Sequence, residues 1–120
     1  MLNLATPATR AQEQMLESLV ESLGKSDFAD VKANLDGLTP PEPIYGSRPD
    51  ATARRDREYI FDLETDISVK GAHCGIKWRD FGLYARDFDA RFCVIVPKSA
   101  ALIARIRLAL LEIDAEVFTI

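Results

Sequence analysis

The sequence has few of the residues on which many enzyme sites depend. Its 120 residues include one histidine, His73, and two cysteines, Cys74 and Cys93. A histidine-based metal site, or a Ser or Cys triad that needs a histidine, therefore has at most one candidate. Two cysteines in a chain long enough to bury a core predict reduced, buried thiols and no disulfide. No Gly-rich phosphate loop occurs, neither G-x-G-x-x-G nor a P-loop pattern.

Long apolar runs are also absent. No stretch approaches the ~18 consecutive apolar residues of a membrane span, and the start lacks the basic and then apolar pattern of a signal peptide. We therefore expect a cytoplasmic protein. The composition, 48% hydrophobic and 28% charged, is typical of a globular chain and argues against disorder. At ~100–200 residues per domain, the length predicts a single domain, 1–120.

The negative charge is unevenly distributed. A formal net charge of −4 argues at first against a nucleic-acid binder. However, residues 1–45 hold three basic and seven acidic residues and supply the whole excess, whereas 46–120 hold twelve of each. Within the neutral part, residues 70–79 carry three positive charges and no acid. Such local patches are compatible with a phosphate-bearing partner; the alternative is that they are solvated turns and helix faces.

The first half of the chain is predicted to begin with helices. Apolar spacing predicts a helix that opens at Thr6-Pro7 and stops at Gly24. A second, short helix is predicted after Ser26. Four prolines in 39–49 predict a rigid connection with at most a short strand at Ile44-Tyr45. The residues predicted to face inward are Leu16, Leu19, Val20 and Leu23 on the first helix, then Phe28, Val31 and Leu35 on the second.

A hairpin is predicted next. Residues 51–53 lead through a polar turn, 54–57, into a β-branched and aromatic run at 58–65. Because side chains alternate along a strand, Asp62 and Glu64 share one face with Ile60, their Cα atoms about 7 Å apart. The residues predicted on the other face are Tyr59, Phe61, Leu63 and Thr65.

The remaining elements are a helix over 69–88, a strand buried on both faces at 91–96, an apolar helix over 99–113 capped by Ser99, and a final strand at 116–120. The predicted inward stripe of the first of these helices is Cys74, Trp78, Phe81, Ala85 and Phe88. Cys74, Cys93 and Trp78 are interpreted as core residues. The whole order predicts an α/β fold in which a mixed sheet is flanked by helices.

Three carboxylates form the candidate chemical site. Asp50 follows Pro49, and Asp62 and Glu64 lie on the next strand, so the three converge if the hairpin brings them together. Mg²⁺ and Mn²⁺ prefer oxygen ligands, and such an ion can stabilise charge and activate water in phosphodiester hydrolysis. The alternative is that Asp50 is a turn residue and that the other two acids face solvent.

The chain resembles the PD-(D/E)XK nuclease superfamily over roughly residues 9–97, because Pro-Asp is followed by a hairpin and then by two acids one residue apart. The pattern YIFDLETDIS…H…KW…F…FCVIVP also resembles small bacterial proteins assigned to that superfamily. The resemblance implies a restriction-endonuclease-like αβββαβ core, with Ile44-Tyr45 as a weak first strand and an extra C-terminal helix and strand. It also implies DNA as substrate and Mg²⁺ or Mn²⁺ as cofactor. Asp50 matches the motif Asp, Asp62 the (D/E) position, and Glu64 the position usually held by Lys.

The acid at Glu64 leaves two functional alternatives. One is an active deoxyribonuclease in which Lys70 or Lys77, from the following helix, replaces the motif Lys. The other is a catalytically inactive module of the same fold that binds a protein partner or DNA. A further option is a dimeric scaffold, a homodimer through the apolar helix 99–113 and the terminal strand 117–120.

The resemblance also suggests contacts with nucleic acid. Lys70, His73 and Lys77 share a helix face, and this helix often touches the nucleic-acid backbone in the superfamily. Arg54 and Arg55, in the hairpin turn, are further candidates; for all five residues a solvated surface is the alternative. The superfamily often brings a glutamate of the first helix to the metal. Glu13 and Glu17 are the candidates here, although a solvated helix face is the favoured interpretation.

Overall fold

The computed structural model describes residues 7–120, with side chains from Arg10 onward. Turns of 3₁₀ helix at Ser68–Lys70 and Lys98–Ala100 lead into the last two helices. The helices and strands, in chain order, are α1 (Pro7–Gly24), β1 (Ala29–Ala33), β2 (Ala51–Arg54), β3 (Glu58–Leu63), α2 (Ala72–Phe88), β4 (Arg91–Val96), α3 (Ala101–Leu110) and β5 (Glu116–Thr119).

The five strands form one mixed sheet in the order β1-β2-β3-β4-β5. The pairs β1–β2 and β2–β3 are antiparallel, whereas β3–β4 and β4–β5 are parallel. Helices α2 and α3 connect the parallel strands, as parallel pairing requires. The predicted α/β fold with a mixed sheet is thus confirmed, and the central strand is β3, which carries Asp62 and is followed directly by Glu64.

Two apolar clusters lie on opposite faces of the sheet. On one face, α1 packs over β3 through Leu16, Leu19 and Leu23. On the other face, Ile60 packs with Trp78 and Phe81 of α2, and α3 adds Leu108 to the same cluster. The predicted alternation along β3 is confirmed, because Tyr59, Phe61 and Leu63 belong to the α1 cluster and Ile60 to the other.

Several predicted elements are confirmed. Helix α1 begins at Pro7 and ends at Gly24, while Thr6 lies outside the described residues. The hairpin β2–β3 and the strands β4 and β5 lie where the sequence predicts them. Among the described residues, no helix is long and apolar enough to cross a membrane.

The predicted short helix after Ser26 is wrong. The backbone is extended in β1 and pairs with β2 through an irregularity between Ala29 and Lys32. Asp27 and Asp30 have φ angles of 61° and 54°, in the left-handed region that an α-helix does not contain. The residues predicted to face inward do pack against the α1 cluster, but Val31 does so from β1, and Phe28 and Leu35 from the segments on either side of that strand.

The predicted strand at Ile44-Tyr45 is also wrong. Ile44 makes a single bridge to Ser47 across a tight turn, in which Tyr45 and Gly46 have φ angles of 51° and 89°. The first strand is β1 instead. The order from α1 to β4 is therefore α-β-β-β-α-β, with α3 and β5 following.

The two helices of the second half differ from the prediction in four respects. Helix α2 starts at Ala72, and Phe88 at its end is 63% exposed instead of buried, because it lies in the last turn beyond the sheet-covering stripe. Helix α3 is shorter than predicted, ending at Leu110. Ser99 does not cap it, since its hydroxyl donates to Asp66 instead, at 2.6 Å.

Two glycines allow α2 to approach its neighbours closely. A Cβ at Gly75 would lie 2.8 Å from the Arg107 guanidinium, and one at Gly82 would lie 2.8 Å from Cγ2 of Ile113. The low helix propensity of glycine is therefore offset by close packing between α2 and the segment that contains α3.

Candidate functional site

Asp62 and Glu64 lie at the C-terminal end of β3, on the face that α2 covers. They are 0% and 1% exposed, respectively. The interpretation of these acids as a solvent-facing strand surface is wrong, because helices cover both faces of the central strand. Two carboxyl groups buried this deeply need compensating partners.

Lys77 provides the main compensation. Its ammonium group, on α2, donates to Oδ1 of Asp62 at 2.9 Å and to Oε2 of Glu64 at 2.7 Å. The Lys77 side chain is 14% exposed, so it reaches inward from the rim of the site. Of the two lysines considered as a replacement for the motif Lys, Lys77 is the one placed against the acids. Lys70 and His73 lie exposed near the start of α2.

Trp78 supplies a second donor. Its indole Nε1 donates to Oδ2 of Asp62 at 2.8 Å, and its ring is fully buried. The interpretation of Trp78 as a core residue is confirmed. Both oxygens of Asp62 are thus occupied, one by Lys77 and one by Trp78, which fixes the orientation of the carboxyl group.

Asp50 joins the site from the neighbouring strand. The β2–β3 register pairs Ala51 with Phe61, so Asp50 stands opposite Asp62. Its Oδ2 accepts from the Leu63 amide at 2.8 Å, and Asn34 holds the preceding residue by donating to the Pro49 carbonyl at 3.0 Å. The hairpin therefore brings the three predicted acids to one end of the sheet.

The charges of these groups are strongly interdependent. Burial raises the pKa of Asp62 well above its usual range, and the adjacent Glu64 raises it further. For Glu64, burial acts in the same direction, but hydrogen bonding with Asp62 and the Lys77 charge outweigh it, so its pKa is lowered. Burial also raises the pKa of Asp50. The environment therefore favours the neutral form of Asp62 and the charged form of Glu64 beside the Lys77 ammonium.

Cys74 is a member of the site that sequence reasoning missed. One ligand atom each from Asp62, Glu64 and Cys74 lies within 4.8 Å of the other two. The predicted core position of Cys74 is confirmed by its 2% exposure. A signal was present, because Cys74, Lys77 and Trp78 are spaced i, i+3, i+4 and so share one face of α2. The two carboxylate oxygens of Asp62 and Glu64 and the Cys74 sulfur are a donor set that could hold a metal ion.

The other candidate residues lie away from the acids. Arg54 and Arg55 lie at the hairpin turn. Arg54 pairs with Glu58, which is four residues before Asp62 on β3, a distance of about 13 Å along the strand. The Arg55 guanidinium stacks 4.4 Å from the Phe28 ring centroid. Glu13 and Glu17 are exposed on α1, so their interpretation as a solvated helix face is confirmed.

Two cavities also lie elsewhere. One, of about 560 Å³, is lined by Arg79, Arg86 and Arg91 near the opposite end of the sheet. The other, of about 460 Å³, lies between α1 and β5 and is lined by Leu23, Ile95 and Phe118 among others. None of Asp50, Asp62, Glu64 or Lys77 lines either cavity.

Comparisons with known proteins do not assign the chain to a family. No protein-family model, no curated protein and no solved structure matches it. The site is therefore interpreted from its own geometry and chemistry.

Proposed function

We propose that the chain is a metal-dependent nuclease that hydrolyses phosphodiester bonds of DNA, with Mg²⁺ or Mn²⁺ as the ion. The observation that carries this proposal is the Lys77 ammonium, bonded to both Asp62 and Glu64. With Asp50 opposite Asp62, the site has the acids and the lysine of a PD-(D/E)XK centre. The lysine comes from α2 instead of the strand position held by Glu64.

The order of the elements supports the same proposal. The order α-β-β-β-α-β from α1 to β4 is the one that the superfamily resemblance implies, with β1 in place of the segment 44–45. The hairpin β2–β3 presents Asp50 and Asp62 side by side, and α2 brings in the lysine. We infer a restriction-endonuclease-like fold from this combination of order and site.

The roles of the side chains follow from their chemistry. Asp62 and Glu64, with Asp50 beside them, would supply hard oxygen atoms to a divalent ion, and such an ion would provide stabilisation of negative charge on the phosphate and activation of water. The Lys77 ammonium occupies the cation position between the acids and has a flexible four-carbon stem. With an ion bound to the acids, this ammonium would be available to donate to a phosphate oxygen at the rim of the site.

A second candidate function is a catalytically inactive module that binds a partner. The observation that favours it is that Lys77 already neutralises Asp62 and Glu64 in a buried cluster, an arrangement that also serves purely structural ends. The exposed apolar side of α3 would then provide the binding surface. Its residues include Leu102, Ile106 and Leu110.

The experiment is a cleavage assay on single-stranded, duplex and branched DNA with Mg²⁺ or Mn²⁺. We expect cleavage by the wild type and a loss of at least about 100-fold in Asp62→Asn, because a ligand that also holds the lysine is replaced. Glu13→Gln, which changes an exposed carboxylate of α1, is the matched control and should cleave normally. Undiminished cleavage by Asp62→Asn would show that this site does not catalyse the cleavage. Absence of both cleavage and calorimetric binding of either ion would favour the inactive module.

A further inference from the structure

The donor set at the end of β3 includes a sulfur atom. Cys74 lies on the same face of α2 as Lys77, and its sulfur is within 4.8 Å of an oxygen of each of Asp62 and Glu64. Mg²⁺ is held in proteins by oxygen atoms, whereas a soft thiolate ligand favours ions such as Zn²⁺. The composition of the set is therefore informative about which ion it takes.

We propose that Cys74 is a metal ligand, and that the site binds Zn²⁺, Co²⁺ or Mn²⁺ through Asp62, Glu64 and the Cys74 sulfur in preference to Mg²⁺. This inference rests on the proposed function in using the same two carboxylates. It adds the third protein ligand and the class of ion. Among these ions, affinity is expected to increase from Mn²⁺ to Co²⁺ and Zn²⁺.

The distances suit such an ion. Three atoms within 4.8 Å of one another leave a point about 2.8 Å or less from each of them. Zinc bonds are about 2.3 Å to sulfur and about 2.0–2.2 Å to carboxylate oxygen. Binding therefore requires the three side chains to close by less than about 1 Å, which rotation about their side-chain bonds can provide. Because α2 and β3 are regular elements, their backbones need not move.

The state of the Cys74 thiol supports the same inference. Cys74 is 2% exposed, and within the described part of the chain its sulfur makes no hydrogen bond. The two carboxyl groups beside it, by contrast, are held by Lys77 and Trp78. An unpartnered thiol buried between carboxyl groups gains a bond partner when an ion enters.

The charge and the atoms of this binding step balance. The sulfur–hydrogen bond of Cys74 breaks and its proton passes to water, while a sulfur–metal bond forms. The Lys77 ammonium leaves the space between the carboxylates, so two anionic oxygens and one thiolate face a divalent ion in place of an ammonium group.

The second cysteine provides a matched control. Cys93 is equally buried, at 1% exposure, but it lies on β4 and belongs to the α1 cluster on the opposite face of the sheet. The experiment is a Co²⁺ titration of the reduced full chain, followed by thiolate-to-cobalt charge-transfer absorption in the near ultraviolet. The wild type and Cys93→Ser should both show this absorption. Cys74→Ser should lose it and bind Co²⁺ at least about 10-fold more weakly.

Competition identifies the class of ion, and the outcomes are distinguishable. Zn²⁺ should displace Co²⁺ and bleach the absorption, whereas a large excess of Mg²⁺ should not. Co²⁺ binding by the wild type without charge-transfer absorption would overturn the role of Cys74 but leave a carboxylate site for the proposed nuclease. No binding of Co²⁺, Mn²⁺ or Mg²⁺ would overturn both proposals. The wild-type spectrum alone shows whether a cysteine sulfur binds the cobalt ion. The test therefore does not depend on the folding of a variant.

Discussion

The Lys77 ammonium lies 2.9 Å from the Asp62 carboxyl group, although the two residues are 15 positions apart in the sequence. This contact joins α2 to the central strand on the inner side of the helix. Because Glu64 shares the same ammonium, a single positive group holds two buried carboxyl groups in place. This cluster and the exposed surface of α3 lead to testable expectations for stability, spectra and self-association.

Replacement of Lys77 by methionine should destabilise the fold. The substitution keeps much of the stem but leaves the carboxyl groups buried without their cation, at an expected cost of about 3 kcal/mol in the free energy of unfolding. Urea denaturation measures this cost. Lys70→Met, at an exposed position just before the same helix, should change stability by no more than about 0.5 kcal/mol. Equal stability of both variants would show that the buried ion pair makes no net contribution.

The hydrogen bond between Trp78 and Asp62 should be visible by NMR. Trp78 is the only tryptophan, so its indole N–H gives a single side-chain signal. In Asp62→Ala the donor loses its acceptor, and we expect the signal to move upfield and its hydrogen exchange to accelerate. Glu64→Gln is the control, since it leaves the acceptor of Trp78 in place. An indole signal that is insensitive to Asp62→Ala would contradict the observed bond.

Stability should depend on pH through Asp62. Its pKa is raised in the folded chain by burial and by Glu64. Above the ordinary aspartate pKa of about 4, the unfolded chain loses this proton while the folded chain keeps it. The folded state then binds more protons, so the Asp62 contribution to stability decreases as the pH rises. Asparagine has no such proton, and Asp62→Asn should gain stability relative to the wild type with increasing pH.

Urea denaturation of both proteins between about pH 4.5 and about pH 7.5 checks this sign. Glu64 titrates in both proteins, and hydrogen bonding with Asp62 contributes to its lowered pKa, so the difference between the proteins reports Asp62 together with its effect on Glu64. A difference that does not change with pH would mean that Asp62 has the same proton affinity in the folded and unfolded chains.

The apolar side of α3 predicts self-association. Leu102, Ile106 and Leu110 are 69%, 51% and 79% exposed, and within residues 7–120 the neighbouring strand β5 pairs only with β4. A free strand edge next to exposed aliphatic residues favours a second copy of the chain. Light scattering should give a dimer for the wild type and for Leu83→Glu, which changes a half-exposed apolar residue of α2. Ile106→Glu should give a monomer, and a monomeric wild type would contradict the prediction.

The sequence predicted the part of the site that depends on strand alternation. Spacing alone assigns Asp62 and Glu64 to one face of β3 and places Asp50 across the hairpin. It did not distinguish Lys70 from Lys77, because that choice depends on how α2 is rotated over the sheet. Cys74 was assigned to the core, correctly, yet its position beside the acids depends on the same rotation.

The fold before the hairpin was predicted less well. The spacing of Phe28, Val31 and Leu35 is helical, but these residues pack on α1 from strand β1 and the segments that flank it. The left-handed backbone at Asp27 and Asp30 interrupts any helix, and aspartate is one of the few residues that tolerate this conformation. Pairing with β2 then determines the conformation of β1, which local spacing does not encode.

The alternation along β3 also has a consequence for folding. A shift of one residue in the pairing of this strand would turn Asp62 and Glu64 toward the leucines of α1 and turn Leu63 toward Lys77. Both changes would bury charged groups without partners. An all-apolar central strand would tolerate such a shift far better. The polar end of β3 therefore selects a single alignment of the sheet.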